Sequence, residues 1–458
     1  MLPALGLRAL AMAAMLTAAG AGARAATLYV GGEGGHATIR DALAAAEPGD
    51  RIVVRAGEYR ERLVIDKPVR LIGEGRPHIR GDGIDDVVLI LADDVEFVGF
   101  RVSGSGVRMM HSDAGVKVAG KRVRVAENEL YDNLFGIYLD RSVEAVIERN
   151  RIRGRADIEV GRRGAGIHFY DAHHNVVRFN RIWEVRDGVY FDHSDHNRVE
   201  DNEFSNLRYG VHYMYCGPNS FSRNVFRDSM AGVVVMYTDG VVFTDNQIIN
   251  NRAGFNACGL LFKDCLNSVA ERNVIVNNVR GIFLDNSDRN RFFHNLVAQN
   301  DVAVVLHANS LENSFGGNDF IDNLAVLHTV GRADADWTPG GLGNYYSDYT
   351  GYDLDGDGVG DVEYRLQDAF EYLAGNRPLL RLFLNSAAAD ALAFAEKNFP
   401  LIRGSDERDT APRMSPVSGV KMIAAAGQAE AAETRALPAA GWLLVFGLST
   451  LLAWRLRA

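Results

Sequence analysis

A repeat with a period of 22 residues constrains this chain more than any other feature of its sequence. The pattern Asn-x-apolar occurs at Asn128, Asn150, Asn180, Asn202, Asn224, Asn246, Asn273, Asn295 and, less regularly, Asn318. A second pattern, Gly-apolar-x-apolar, begins at Gly136, Gly166, Gly188, Gly210, Gly232, Gly259 and Gly281, and Ala303 continues it. Two patterns that share one period indicate a single structural unit repeated in tandem.

The segments between these positions alternate apolar and polar residues, as in Ile137/Leu139 and Val189/Phe191. They are too short to be the helices of a helical repeat, so the alternation predicts strands. A unit of this length cannot bury its own apolar face and must stack on copies of itself. We therefore predict an all-β fold, a right-handed parallel β-helix with about 22 residues per coil and three short sheets. Asn suits the corners because it tolerates a left-handed backbone and can pair its amide with that of the next coil.

The two ends of the chain differ from the repeat. Residues 1–25 are mostly small and apolar and end in Ala23-Arg24-Ala25, which predicts a secretory signal peptide. The β-helix domain is expected at 26–385, with a helix at Thr38–Ala46 that caps its N-terminal end, because Thr38 and Asp41 resemble a capping box. Residues 386–436 predict a linker. Residues 437–457 predict a C-terminal apolar tail helix, either an inner-membrane anchor or a processed sorting tail.

Charge and cysteine content limit the partners and the covalent chemistry. The chain has 49 basic and 59 acidic residues, a net charge of −10, which argues against nucleic acid as a partner. Export implies an oxidising compartment, yet Cys216, Cys258 and Cys265 are an odd set and leave at least one thiol unpaired. We expect three small buried residues, and the sequence leaves their disulfide state open.

One row of residues is expected to face outward along the coils. These residues stand two places after each glycine: Tyr138, His168, Tyr190, His212, Val234, Leu261, Phe283 and Val305. Stacked about 4.8 Å apart, they would form a continuous aromatic and apolar surface, here called the outer row. An exposed patch of this kind predicts docking of a partner protein, and the alternative is cover by a flanking loop or the C-terminal segment.

Two irregular spacings support a binding role for that face. The extra residues lie near 154–163 and 250–257, between an Asn and the next Gly, and therefore at one corner of the coil. They bracket the coils that carry His168, Tyr190, His212 and Val234. Insertions on one face of a solenoid often mark its binding face.

Side chains that bind soft metals collect in the same coils. His212, Met214 and Met236 combine imidazole with thioether, a ligand set that suits Cu(I). His174 and His196 occupy equivalent positions in neighbouring coils and could bind a transient Cu⁺ or a divalent ion. The alternative is a structural role as hydrogen-bonded corner residues, and Met109-Met110-His111 in a predicted loop carries the same two interpretations.

An acidic loop follows the last coil. Asp353, Asp355, Asp357 and Asp361 stand at positions 1, 3, 5 and 9 of a segment with Gly at position 6, which is the ligand spacing of a Ca²⁺ loop. The segment departs from the EF-hand pattern because position 12 is Tyr364. We therefore predict a structural Ca²⁺ site, with a hydrated acidic turn as the alternative.

Residues 343–361, Gly-Asn-Tyr-Tyr-Ser-Asp-Tyr followed by Asp-Gly-Asp-Gly, carry a family resemblance. Together with Ala-Thr-Ile-Arg-Asp-Ala-Leu at 37–43, Pro-Gly-Asp-Arg-Ile-Val-Val at 48–54 and the coils, they resemble the NosD family over about residues 27–385. The resemblance implies a non-enzymatic periplasmic protein that helps nitrous oxide reductase acquire its copper–sulfur centre. It also implies three partners: an ABC-type ATPase and permease, a copper-chaperone lipoprotein and the reductase.

The competing hypothesis is an enzyme on the same scaffold, a polysaccharide lyase, epimerase or hydrolase. Such enzymes need acid and base groups that converge in a groove. Their candidates here are Tyr190, Asp192, His193, Asp195 and His196. ATP chemistry is expected in another subunit, because the chain has no Gly-x-x-x-x-Gly-Lys-Ser/Thr motif.

Overall fold

Successive coils of the chain form three long parallel sheets of 14, 12 and 13 strands. The computed structural model describes residues 25–254, 256–307, 309–330, 334–367, 386–388, 391, 394–395 and 407–417. A complete coil contributes one short strand to each sheet, and most neighbouring strands in a sheet come from consecutive coils. The predicted parallel β-solenoid with three sheets and about 22 residues per coil is confirmed.

Sheet 1 contains Thr27–Val30, Arg51–Val54, Arg70–Gly73, Glu96–Val98, Arg124–Ala126, Val146–Glu148, Val176–Arg178, Arg198–Glu200, Ser220–Ser222, Val242–Thr244, Val269–Glu271, Arg291–Phe293, Leu311–Gly316 and Asp334–Asp336. Sheet 2 contains Leu63–Ile65, Val88–Ile90, Ala114–Val118, Phe135–Asp140, Ile167–Tyr170, Asp187–Asp192, Tyr209–Met214, Ala231–Asp239, Cys258–Leu266, Arg280–Asp285, Val302–His307 and Ala325–Val330. Sheet 3 contains Glu58–Tyr59, His78–Arg80, Arg101–Ser103, Glu129–Leu130, Arg151–Arg153, Arg181–Trp183, Glu203–Ser205, Val225–Arg227, Gln247–Ile249, Val274–Val276, Leu296–Ala298, Asp319–Ile321 and Tyr345–Tyr346. An antiparallel pair joins Tyr364–Arg365 to Arg408–Asp409, and 3₁₀ turns occupy Met109–His111, Val160–Arg162 and Pro339–Gly341.

Identical positions of successive coils fill the interior with stacked side chains. Phe204 and Phe226 stack with ring centroids 4.9 Å apart, and Phe221 and Phe243 stack at 4.6 Å. All four rings are fully buried. Burial of one such ring contributes roughly 1.5 to 3 kcal/mol, so the repeated apolar positions supply the main driving force for stacking.

The glycine series is explained by close packing between coils. A Cβ atom on Gly188 would lie 2.5 Å from the carbonyl oxygen of Gly210 and 2.5 Å from Cδ1 of Phe204. Either approach is too short for a side chain. Only glycine at this position lets the backbone of the next coil and the buried ring of Phe204 pack this close.

The asparagine series forms a buried hydrogen-bonded ladder. From Asn150 onward, each side-chain oxygen accepts from the backbone N–H and the Nδ2 of the Asn one coil earlier, for example Asn246 from Asn224 at 3.0 Å and 3.0 Å. The expectation that these Asn adopt the left-handed conformation is wrong. It is the preceding residue that does so, such as Arg223 with φ of 55°, because the bend turns the Asn inward where its amide replaces missing backbone partners.

A helix, Ile39–Ala45, lies beside the first strand of sheets 1 and 2, with Thr38 as its N-cap. The Thr38 hydroxyl accepts from Asp41 N at 3.0 Å, and Glu61 accepts from the N–H groups of Ile39 and Arg40 at 3.0 Å each. Lys67 Nζ donates to three carbonyl groups at the other end of the helix. The free backbone groups at both ends of the helix are therefore hydrogen-bonded to charged side chains distant in sequence. The negative Glu61 lies at the N-terminus and the positive Lys67 at the C-terminus, so both charges interact favourably with the helix dipole.

Residues 407–417 lie against the C-terminal end of the solenoid, although the sequence places them in the linker. Asp409 is fully buried and continues the asparagine ladder by accepting from Asn344 N at 2.7 Å. Arg413 donates to Asp319 at 2.6 Å. This segment has no periodic apolar pattern, so its packing through hydrogen bonds could not be predicted from the sequence. We call residues 407–417 the strap.

The predicted signal peptide at 1–25 is almost entirely outside the described residues, as is the predicted tail at 437–457. Within the part of the chain that the structure describes, no helix combines the length and the apolar character needed to cross a membrane.

Candidate functional site

The outer row lies on sheet 2, and its members are paired in register from coil to coil. Tyr138 pairs with His168, His168 with Tyr190 and Tyr190 with His212. Val234, Leu261, Phe283 and Val305 continue the row in the same register. The rings of Tyr138 and His168 stack at 4.5 Å, and those of His168 and Tyr190 stack at 4.6 Å.

The outer row is not the exposed stripe that the sequence predicts. Tyr138, Val234 and Val305 are buried, with 8%, 2% and 5% of their surface exposed. The cover comes from neighbouring columns of the same sheet face: Leu134, Phe135 and Ala165 pack around Tyr138, and Ala231, Cys258 and Met236 pack around Val234. A period-2 pattern identifies which side chains face outward, but it cannot show that their lateral neighbours bury them. The half-buried members of the row are His168, Tyr190, His212, Leu261 and Phe283.

A fully buried carboxylate beside the outer row was missed by the sequence analysis. Asp187 accepts from Arg208 Nη2 at 2.6 Å and Nε at 2.9 Å, and from Arg186 Nε at 3.1 Å. His212 Nδ1 lies 3.2 Å from the same carboxylate. Hydrogen bonds from His212 and Arg208 outweigh burial and hold the pKa of Asp187 below its usual value. The available sequence signal was an aspartate directly before Gly188, a position where the other coils carry mainly apolar residues.

His168 is the neutral member of this group. Its Nδ1 is buried and has no hydrogen-bond partner. Burial, assisted by the nearby Arg186, lowers the pKa of His168 to about 3. The imidazole is therefore uncharged at neutral pH and stacks between two tyrosines.

Loops at one corner border this face. The insertions at 154–163 and 250–257 both connect a strand of sheet 3 to the following strand of sheet 2. A third loop at the same corner, missed as an insertion, joins Arg101–Ser103 to Ala114–Val118 and contains the 3₁₀ turn Met109–His111. Met110 at its tip is 95% exposed.

The candidate copper ligands fall into two places. Met214 and Met236 are register neighbours on sheet 2, and Tyr190 Oη donates to Met214 Sδ at 3.6 Å. His212 lies two residues before Met214 on the same face. His174 and His196 lie elsewhere, at the exposed corner before sheet 1, with ring centroids 5.1 Å apart.

The acidic loop brings three of its four predicted ligands together. Among the described residues, Asp353, Asp355 and Asp357 form the one group of three or more His, Cys, Asp or Glu side chains whose ligand atoms lie within 4.8 Å of one another. Hydrogen bonds from the backbone, first that of Gly358, lower the pKa of Asp353. Asp361 is used differently, because its Oδ2 accepts from Leu354 N at 2.6 Å.

The residues proposed for a polysaccharide enzyme do not converge. Asp192 Oδ1 lies 2.6 Å from His193 Nδ1, and Asp195 accepts a hydrogen bond from the backbone N–H of Gly217. His193 and His196 lie at exposed corners, whereas Tyr190 lies on the sheet face. These groups are therefore divided between the corner and the sheet face, and Asp195 is engaged with the backbone.

The three cysteines are free and buried, in agreement with the expectation of small core residues. Burial raises the pKa of each thiol to about 12. Cys216 Sγ donates to Met214 O at 3.1 Å, and Cys265 Sγ donates to Val235 O at 3.3 Å. Cys216 and Cys265 act as small hydrogen-bonding residues inside the coil, whereas Cys258 packs beside Val234 on the face of sheet 2.

Solved structures similar to this solenoid include a Family 28 exopolygalacturonase from Yersinia enterocolitica. The TM-score is 0.50, with 10% sequence identity, over 65% of this chain and 74% of that chain. At this identity the likeness concerns the fold alone.

Comparison with sequence relatives shows the family to which the chain belongs. A family model described as "Periplasmic copper-binding protein (NosD)" matches residues 155–351. A protein of Pseudomonas aeruginosa named "Probable ABC transporter binding protein NosD" is 39% identical over 395 residues, covering 81% of this chain and 92% of the relative. A protein of Stutzerimonas stutzeri with the same name is 36% identical, covering 78% and 85%. The chain therefore belongs to the NosD family.

Proposed function

We propose that this protein is a non-enzymatic periplasmic scaffold that works with an ABC-type transporter in assembling the copper–sulfur centre of nitrous oxide reductase. The observation that carries the proposal is the 39% identity across 92% of a relative named as a probable ABC transporter binding protein. The matching family model is described as a periplasmic copper-binding protein, which supports both the proposed role in copper handling and the proposed location. A copper-chaperone lipoprotein is the proposed donor, and residues 437–457 are the proposed attachment to the inner membrane.

The geometry supports binding in preference to catalysis. The face of sheet 2 bordered by the corner loops carries stacked aromatic rings, two thioethers and a buried, fully paired carboxylate. Its half-buried members, among them Leu261 and Phe283, are the proposed docking residues of the outer row. Tyr138 and Val234 are too deeply buried to contact a partner directly.

Deletion of the gene tests the proposed function. We expect the host to accumulate nitrous oxide reductase without its copper–sulfur centre, and we expect plasmid-borne wild-type protein to restore it. The readouts are the copper content and the visible absorption spectrum of the purified reductase. A reductase with full copper content from the deletion strain would contradict the proposal.

We further propose that His212, Met214 and Met236 hold Cu⁺ as a transient cargo. Asp187 lies against His212 Nδ1, which leaves Nε2 as the nitrogen directed away from the carboxylate. Thioether sulfur from two adjacent coils completes a soft ligand set. The Tyr190 hydroxyl that contacts Met214 Sδ fixes the position of that side chain.

An anaerobic Cu⁺ titration against a competing chelator tests this site. The variant with His212, Met214 and Met236 all replaced by alanine is expected to lose the binding seen in the wild type. A matched control replaces the same residue types in the corner loop, Met109, Met110 and His111, and is expected to retain it. Equal binding by the wild type and the first variant would reject the site.

A further inference from the structure

The corner that follows sheet 2 carries an exposed stack of rings. His193, Tyr215 and Tyr237 occupy equivalent positions in three successive coils, with ring centroids 5.8 Å and 4.7 Å apart. Tyr215 is 53% exposed and Tyr237 is 38% exposed. All three have positive φ, of 49°, 54° and 56°, a conformation that bulky residues seldom adopt.

Four aspartates lie in the same corner as this stack or at the strand ends beside it. Asp192 pairs with His193, and Asp239 accepts from Asn267 Nδ2 at 2.8 Å. Asp195 accepts from a backbone N–H, and Asp264 accepts from Asn286 Nδ2. Among the residues that the structure describes, none of these four aspartates forms a close ion pair with lysine or arginine. Lys263 attracts Asp264, but its ammonium group is paired with Asp285 at 2.8 Å.

The corner that follows sheet 1 shows the opposite arrangement. There the chain supplies an arginine to the aspartate of the preceding coil, as with Arg223 and Asp201 at 2.8 Å and Arg272 and Asp245 at 2.9 Å. The lack of such arginines distinguishes the coils of the ring stack from the corner that follows sheet 1. It leaves negative charge beside exposed ring faces and edges.

The first coils of the same corner show how a cation would be held. The guanidinium of Arg141 lies over the ring of Tyr170 at 5.5 Å from its centroid and 3.9 Å from the carboxylate of Asp171. Arginine binds an aromatic face and a carboxylate together, because the ring quadrupole and the anion both attract its charge. In the next coils the rings and carboxylates recur, but no arginine of the chain occupies the equivalent position.

We propose that this corner, formed by His193, Tyr215, Tyr237 and the flanking Asp192, Asp195, Asp239 and Asp264, binds an arginine- or lysine-bearing segment of a partner protein. The inference goes beyond the proposed copper function, since it names the charge of a partner and a surface outside the outer row. It depends on the exposed rings and on four carboxylates that have no close ion pair with lysine or arginine among the described residues. Attraction of this kind weakens as salt screens the charges.

Fluorescence anisotropy with a labelled arginine–serine repeat peptide tests the proposal. We expect saturable binding that weakens with added salt and is absent for the same peptide with glutamine in place of arginine. Replacing Tyr215 and Tyr237 by asparagine keeps a residue that tolerates positive φ, so the fold is preserved, and is expected to weaken binding about tenfold. Asp192→Asn with Asp264→Asn is expected to weaken it roughly threefold.

A charge-matched control separates the corner from the overall negative charge. Glu33→Gln with Asp66→Asn removes two exposed carboxylates from the first coils and is expected to leave the affinity unchanged. Thermal melts of all variants check that they are folded. Wild-type affinity in the double tyrosine variant, or an equal loss in the charge-matched control, would overturn the proposal.

Discussion

Asn224 lies in the middle of the asparagine ladder, and its replacement by alanine is expected to lower the free energy of unfolding by about 3 to 5 kcal/mol. Its Nδ2 donates to Val199 O at 2.8 Å and to Asn246 Oδ1 at 3.0 Å. Its Oδ1 accepts from N and Nδ2 of Asn202, both at 3.0 Å. Alanine leaves the Val199 carbonyl and the Asn202 N–H without these side-chain partners in a site closed to water. Each such buried group costs about 1 to 3 kcal/mol, and the lost amide pairs add to this sum.

Urea unfolding followed by far-UV circular dichroism and by tryptophan fluorescence measures the effect. Coincident transitions are required, because a repeat protein can lose cooperativity when one coil is weakened. Gln247→Ala is the matched control, since Gln247 carries the same amide next to the ladder but is exposed. Its expected cost is within about 0.5 kcal/mol of zero. If Asn224→Ala costs no more than this control, the ladder does not stabilise the solenoid and the reasoning fails.

Three further predictions concern other parts of the chain. His168→Phe should flatten the pH dependence of the free energy of unfolding between pH 6.5 and about 3. In this range His168 of the wild type is protonated in the unfolded state but neutral in the folded state. Wild-type stability therefore falls by up to about 1.4 kcal/mol per pH unit as the pH drops. Parallel urea curves for both proteins in that window would contradict this. Asp409→Ala removes an acceptor from Asn344 and Tyr346 and should release the strap to limited proteolysis, whereas an unchanged cleavage pattern would exclude this anchoring role. Ca²⁺ should raise the melting temperature of the wild type but not of a variant with Asp353 and Asp355 replaced by Asn, and a chelator should reverse the rise.

The sequence allowed the solenoid to be predicted because its apolar and glycine positions obey one short period. That period fixes the number of residues per coil and the residues that stack, as with Tyr190 on His168. It also located the two insertions at one corner. These features depend on local pattern and on stacking of identical units, which a single sequence displays directly.

Features that depend on lateral or distant contacts could not be predicted in the same way. Burial of Tyr138 depends on Phe135 and Ala165 in a parallel column, and the Asp187 network depends on arginines from two different coils. The strap joins the solenoid through Asp409, 65 residues after Asn344. Pairings of this kind leave no periodic trace in the sequence.

The asparagine ladder passes through the insertions without a change in its bonding. Asn150 and Asn180 are 30 residues apart, Asn246 and Asn273 are 27 apart, and both pairs keep the 3.0 Å amide contact of the 22-residue coils. The corner that carries the asparagine ladder therefore fixes the register of successive coils. The corner between sheets 3 and 2 is a free side, where the length of the chain can vary. Loops on the free side can be lengthened, shortened or grafted from a relative without disturbing the backbone alignment. Partner choice can accordingly diverge between family members while the supporting framework stays the same.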